Sequence, residues 1–257
     1  MKKNKILMGA ALAVSLVGLS LGLQSCSPGD EATAQATQAP SFEVDPFWPK
    51  PLGNEWILGN VIGVAIDERD HIFIVHRASG EGIFGPRTEI GLQTGVSICC
   101  TPAPPIIEFD PDGNVVNAWG GPVEGAPYTW PSSNHGIEID HHGNIWIGGN
   151  GAGDSHILKF TRDGTFLEQL GTPGIVEPDS NDTTRFSRVA EVTVVAETNE
   201  AFVSDGYGNR RIAVLDATSG EFKRYWGAYG NKPEDPTERY RHDPTTPPHT
   251  QFTGPVH

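Results

Sequence analysis

An all-β fold assembled from repeated four-stranded units is what this 257-residue sequence predicts. Hairpin segments recur along it, and each is preceded by another pair of alternating strands. Turn formers are abundant, with 31 glycines and 21 prolines. Hydrophobic residues make up 37% and charged residues 19%, the balance of a chain that can build a core.

The hairpins align in three copies: Glu108 to Gly120, Lys159 to Gly171 and Val214 to Gly227. Each holds a strand, an Asp-Gly or Ser-Gly turn, and a strand closing on an aromatic or Leu and a Gly. Glycine at such a turn supplies the positive φ that the hairpin needs. Upstream lie Gly63 to Val75, Gly136 to Gly148 and Val192 to Ser204, each alternating apolar and polar residues around a central turn. That alternation suits half-buried antiparallel strands. Four strands per unit, at a period of about 50 residues, is the pattern of a β-propeller blade.

Residues 42–257 supply about three blades, and Phe252 to His257 reads as the opening of a fourth. Propellers close with about four to eight blades. The chain is therefore expected to be a partial propeller, truncated at its C-terminal end. Two longer insertions, Ser79 to Pro105 and Pro173 to Arg185, read as Gly/Pro/Thr-rich loops bordering the working face.

Residues 1–25 read as a signal peptide: Lys2, Lys3 and Lys5 precede an apolar run from Ile6 to Leu23. Leu23-Gln24-Ser25-Cys26 is similar to a lipoprotein cleavage box, which marks Cys26 for lipidation and residues 26–41 as a flexible linker. Gln24 departs from the small or branched residue usual in such a box. Export to a bacterial cell envelope, periplasm or outer surface, is the corresponding expectation, with membrane contact only through the lipid. The net charge is −14, and loss of the three leader lysines makes the remainder more acidic still. Such a field repels phosphate backbones, so nucleic-acid binding is excluded.

Cys99 and Cys100 are adjacent, and read as two loop cysteines, either bonded to one another or free. The Asp110-Pro-Asp112-Gly113-Asn114 turn admits a structural calcium ion, although turn chemistry alone accounts for it. Asn181-Asp182-Thr183 matches a glycosylation sequon by pattern only. His71, His76, His141, His142 and His156 read as turn or surface residues.

The blade pattern resembles the NHL repeat. Within it, Ser204-Asp-Gly-Tyr-Gly-Asn-Arg-Arg-Ile212 is similar to a segment of the peptidyl-α-hydroxyglycine α-amidating lyases, six-bladed enzymes that release glyoxylate and leave a peptide amide. The resemblance runs from about Gly53 to His257. It implies Arg77, in Val75-His76-Arg77, as an active-site arginine and Tyr207 as the active-site tyrosine. It also implies His135 and His257 as two zinc-binding histidines at the openings of the second and fourth blades. A third histidine and a second arginine would lie in later blades, so the chain as given is expected to lack useful activity. Gly208 stands where the lyases often carry a cysteine.

The chemistry of that set is coherent. Imidazoles converging on a channel axis would hold zinc with an open position, Tyr207 would serve as general base, and Arg77 would pair with a substrate carboxylate. Glu191 occupies the third-blade position equivalent to His135. Each residue also has a plainer reading: His135 satisfied by backbone, Tyr207 as a packed aromatic, Arg77 as a solvated strand end. The expected function is thus a zinc-dependent C–N lyase acting on a peptide or a small α-hydroxy acid conjugate, as a monomer. The alternative is a non-catalytic cell-surface NHL propeller that binds protein or glycan.

Overall fold

A computed structural model describes residues 39–77, 100–235 and 243–257. The leader, Cys26, most of the linker, Cys99 and the bulk of the first insertion lie outside the described residues. Residues 39–45 carry no regular structure and are exposed, whereas the unit Pro46–His257 holds the strands of the described residues. Among the described residues no helix is long and apolar enough to cross a membrane.

The strands are β1 (Trp56–Ile57), β2 (Val61–Ile66), β3 (Ile72–His76), β4 (Thr101–Pro102), β5 (Ile106–Phe109) and β6 (Val115–Trp119). They continue with β7 (Asn134–Ile139), β8 (Ile145–Gly149), β9 (His156–Phe160), β10 (Phe166–Gly171), β11 (Glu191–Val195), β12 (Glu200–Asp205), β13 (Arg211–Asp216) and β14 (Phe222–Trp226). Three four-stranded antiparallel sheets result, ordered β2-β3-β5-β6, β7-β8-β9-β10 and β11-β12-β13-β14. Each predicted upstream pair and its hairpin form one sheet, as a blade requires. The first insertion is not loop throughout, because Thr101–Pro102 pairs in parallel with Trp56–Ile57.

The hairpin turns follow the expected chemistry. Gly113, Gly143, Gly164 and Gly220 have φ of 81°, 78°, 89° and 70°. Both carboxylate oxygens of Asp110 accept from Asn114, from its backbone N–H at 2.8 Å and its side-chain amide at 2.7 Å. Asp140 accepts from Asn144 in the same way.

The core lies between consecutive sheets. Phe73, Val75 and Ile106 of the first blade meet Ile145, Ile147 and Leu158 of the second. Trp146 and Ile157 meet Val192, Val203 and Leu215 of the third. Fully burying one such side chain contributes about 1.5–3 kcal/mol. On the free face of the first blade, Trp48, Leu52, Trp56 and Leu58 cover Ile74, Ile107 and Phe109. That cover stops short of the inner strand, leaving Val64 and Ile66 62% and 64% exposed.

Polar contacts tie the blades together. Buried Lys159 donates to Ala217 O at 2.7 Å and lies 3.5 Å from Asp140. Arg162 pairs with Asp67 and Glu108 across the first joint. The inner strands β2, β7 and β11 approach most closely at glycines. A Cβ on Gly63 would lie 3.2 Å from His135 O, and one on Gly136 would lie 2.7 Å from Ala190 O and 2.9 Å from Glu191 Cα.

Two histidines depart from the expected surface role. His76 and His156 are fully buried. His76 donates from Nε2 to Pro104 O at 2.8 Å and accepts from the Gly59 N–H at Nδ1. His156 donates from Nε2 to Thr129 O at 2.6 Å. Burial pushes both imidazoles below their ordinary range.

Gly136→Ala is expected to cost about 3 kcal/mol by forcing two backbones apart. Gly143→Ala, whose Cβ would enter open space, costs about 1 kcal/mol of left-handed strain. Urea unfolding of the two variants measures the difference. A second expectation concerns pH. Because the folded chain binds protons at His76 and His156 less readily than the unfolded chain does, their contribution is complete above the ordinary value of 6.5. It is lost as pH falls below that value, so unfolding free energy measured from pH 7.5 to 5 should decline, and His156→Gln should flatten the decline.

Candidate functional site

Three of the residues singled out in the sequence meet at one end of the blades. His135 is the second residue of β7, and Tyr207 follows the end of β12. Its hydroxyl lies 3.0 Å from His135 Nε2, with ring centroids 5.0 Å apart. His257 completes the group, its ring 5.4 Å from His135 and 4.9 Å from Tyr207. It arrives on the segment Gly254–His257, which passes so close to Gly206 that a Cβ there would lie 2.2 Å from Val256 O. Only glycine at position 206 admits that passage.

The protonation pattern of His135 follows from its partners. Ala190 O can only accept, so Nδ1 carries the proton donated to it at 2.7 Å. Nε2 then presents its lone pair, to which the Tyr207 hydroxyl donates. Burial lowers the His135 pKa, helped by His257 and Arg77, while Ala190 O and Glu191 act in the opposite sense. The ring is therefore a neutral base and a neutral ligand.

Arg77 sits behind this group rather than in it. Its Nε donates to Asn134 O at 3.2 Å, and its Nη2 to Asn150 Oδ1 at 3.1 Å. A second guanidinium, which no motif flagged, belongs to Arg188. Arg188 stacks over the Tyr207 ring at 5.8 Å and donates from Nε to Asn150 O at 2.8 Å. The only sequence signal for it was the loop ending at Arg185, expected to border the working face.

The motif around Tyr207 is mostly scaffold. Asp205 and Arg211 are fully buried and paired at 2.9 Å. Asp205 also accepts from the Ser187 N–H at 2.8 Å and from Asn209 Nδ2 at 2.7 Å. Arg211 reaches out to the carbonyls of Ser180 and Arg185. Gly208 cannot carry a side chain here without moving backbone, because a Cβ would fall 2.7 Å from both Ser187 Cβ and Ser187 O. The second blade repeats the device: Asp154 accepts from the N–H groups of Ser132, Ser133 and Gly151 at 2.8–3.0 Å.

Zinc can be tested against these donors. His135 has the backbone-anchored Nδ1 typical of a metal-ligating imidazole, and His257 is its neighbour. Among the described residues no group of three or more His, Cys, Asp or Glu could hold a metal ion. The set thus fits two of the three donors of an open zinc site. At the turn considered for calcium, both Asp110 oxygens are engaged by Asn114. Cys100 is disulfide-bonded.

No family model matches the chain. The chain is 27% identical over 220 residues to peptidylglycine alpha-amidating monooxygenase of Rattus norvegicus, covering 77% of this chain and 21% of that protein. It is also 27% identical over 165 residues to a probable peptidyl-alpha-hydroxyglycine alpha-amidating lyase of Caenorhabditis elegans, covering 62% of this chain and 42% of that one. Its sequence relatives are amidating enzymes. The chain spans between about a fifth and two fifths of the length of these curated relatives. Among solved structures it is similar to a virginiamycin B lyase variant from Staphylococcus aureus, at 14% identity and a TM-score of 0.39, over 70% of this chain and 45% of that one. The structure titled U3-55K matches at 13% identity and a TM-score of 0.43, over 67% and 41% of the two chains.

Asp205→Ala is expected to cost about 3–5 kcal/mol, since it strands the Arg211 charge in the interior. The pair replacement Asp205→Ala with Arg211→Met should cost less than the single one. Chemical denaturation of both variants checks the order.

Proposed function

We propose that the protein is an exported, zinc-dependent lyase of the peptidyl-α-hydroxyglycine amidating type, anchored to the cell envelope through Cys26. The observation that carries the reaction is the Tyr207 hydroxyl held 3.0 Å from His135 Nε2 with His257 alongside. The sequence relatives support the same chemistry. The envelope location rests on the basic start, the apolar run and Cys26.

His135 and His257 would hold the zinc ion, which supplies a Lewis acid for the substrate's α-hydroxyl. Tyr207 stands within hydrogen-bond reach of Nε2, so a substrate oxygen bound near that nitrogen lies within reach of the tyrosine oxygen. Acting as the phenolate, its own proton given up to solvent, Tyr207 would remove the hydroxyl proton while the C–O bond becomes a carbonyl and the C–N electrons leave with the amide nitrogen, which takes up that proton. Glyoxylate and a peptide amide are the products. Arg77, behind His135, adds positive charge that favours the carboxylate carried on the same carbon.

With two imidazoles for ligands among the described residues, this chain is expected to bind zinc weakly and to release no measurable glyoxylate from α-hydroxyhippurate. Zinc titration against a chromophoric chelator should show binding that His135→Ala and His257→Ala abolish and Tyr207→Phe retains. If the reading frame past His257 supplies another blade-opening histidine, the longer chain should bind about one zinc ion and turn over. Tyr207→Phe should then lower its kcat by about 10²–10⁴. Absence of zinc from both the wild-type protein and His135→Ala would sink the lyase reading in favour of a binding surface.

A further inference from the structure

Beside Tyr207, between the second and third blades, lies a pocket of about 310 Å³. That is the lower end of the range for small-ligand sites, about 300–1,000 Å³. Ile175, Val176 and Pro178 give it an apolar wall, and Arg188, Arg210 and Asp235 give it charge. Two of those three charges are already spent. Asp235 accepts from both the backbone and the hydroxyl of Ser180. Arg210 donates from Nη1 to the carbonyls of Gly206, Gly208 and Asn209.

Arg188 is different. Its backbone is fixed on both sides, with its N–H donating to Asp154 O at 3.0 Å and its carbonyl accepting from Tyr207 at 3.2 Å. It is held at φ 64°, a left-handed conformation that costs a non-glycine residue about 1 kcal/mol or more. Its Nε is anchored on Asn150 O. Among the described residues neither terminal nitrogen of its guanidinium has an acceptor, though the side chain is half-buried. In a chain of net charge −14, an anchored guanidinium whose fork is left open beside a pocket selects for an anion.

Asn150 extends the argument. Its carbonyl holds Arg188 and its side-chain oxygen holds Arg77, so one residue sets two guanidinium groups in a fixed relation. Ser133 Oγ donates to the same side-chain oxygen at 2.8 Å and keeps it oriented.

We propose that Arg188 is the principal carboxylate-binding residue of this site, and that the pocket beside it takes the apolar acyl part of an N-acylglycine-type ligand. The ligand class rests on the lyase reading; the binding role rests on the open fork and the pocket. Arg77 then acts as the second cation, behind His135, and Asn150 as the residue positioning both. A carboxylate accepts two parallel N–H bonds from such a fork, which a lysine cannot reproduce.

Isothermal titration of the purified protein with hippurate, and with hippuramide, which lacks the carboxylate, tests this. Wild-type protein should bind hippurate, and Arg188→Gln should weaken that binding by about tenfold or more. Hippuramide should bind both proteins equally, and Arg188→Lys should fall between wild type and Arg188→Gln. Thermal melting of each variant identifies any loss of folding, and the lysine variant separates loss of the fork from loss of the fold. No hippurate binding by the wild-type protein, or equal binding by Arg188→Gln, overturns the inference. Equal weakening of hippurate and hippuramide does the same, because Arg188 would then be structural. Carboxylate-dependent binding without glyoxylate release from any longer form leaves this inference standing and removes only the lyase reading.

Discussion

Every blade has to deliver its inner strand to the axis at a set height, and a buried acceptor at or just beyond the end of the second strand does this. In the third blade Asp205 accepts from the Ser187 N–H ahead of β11. In the second, Asp154 takes three N–H groups, two of them just ahead of β7. In the first, the ring of His76 takes the Gly59 N–H ahead of β2. An unpaired buried N–H costs about 1–3 kcal/mol, so these few bonds decide where the loop turns inward. His135 and Arg188 owe their places to such turns, and Tyr207 leaves the same carboxylate that fixes Ser187.

The regular part of this design was legible in the sequence because it is local. The glycine turns at Gly113, Gly143 and Gly164 need only neighbouring residues to specify them, and the alternating strands declare their faces. Repetition then aligned His135 with His257 as blade openings and put Arg77 beside Tyr207 in register. Non-local contacts were not legible. His76 and His156 looked like surface residues, yet folding buries both against carbonyls of distant loops, Pro104 and Thr129. Arg188 and Asn150 lie in segments with no motif, and become meaningful only once two blades are juxtaposed. Thr101–Pro102 pairs with a strand more than forty residues earlier, which no periodicity could announce.

The Tyr207–His135 hydrogen bond and a metal compete for the same lone pair on Nε2. A neutral hydrogen bond contributes about 1 kcal/mol net. Complete four-ligand zinc sites bind with about 10–16 kcal/mol, so even a share of that from two imidazoles outweighs the hydrogen bond. The bond therefore keeps the pair aligned without locking a ligand out. Ala190 O matters more, since it commits Nδ1 as the donor and so frees Nε2 in either circumstance.

The site is assembled across a joint. His135 and the Arg77 anchor Asn150 belong to the second blade, Tyr207 and Ala190 to the third, and Arg77 itself to the first. Geometry at the 3.0 Å contact thus depends on how closely β7 meets β11, and there the spacing is set by bare backbone at Gly136. A displacement of about 1 Å at the joint would break the tyrosine–imidazole bond, since hydrogen bonds weaken steeply beyond about 3.2 Å. Apolar burial between the sheets supplies the attraction, and Lys159, donating across the same joint to Ala217 O, resists sliding. Precision at Tyr207 is in this sense a property of blade packing, and residues far from the chemistry, Gly136 first among them, belong to its apparatus.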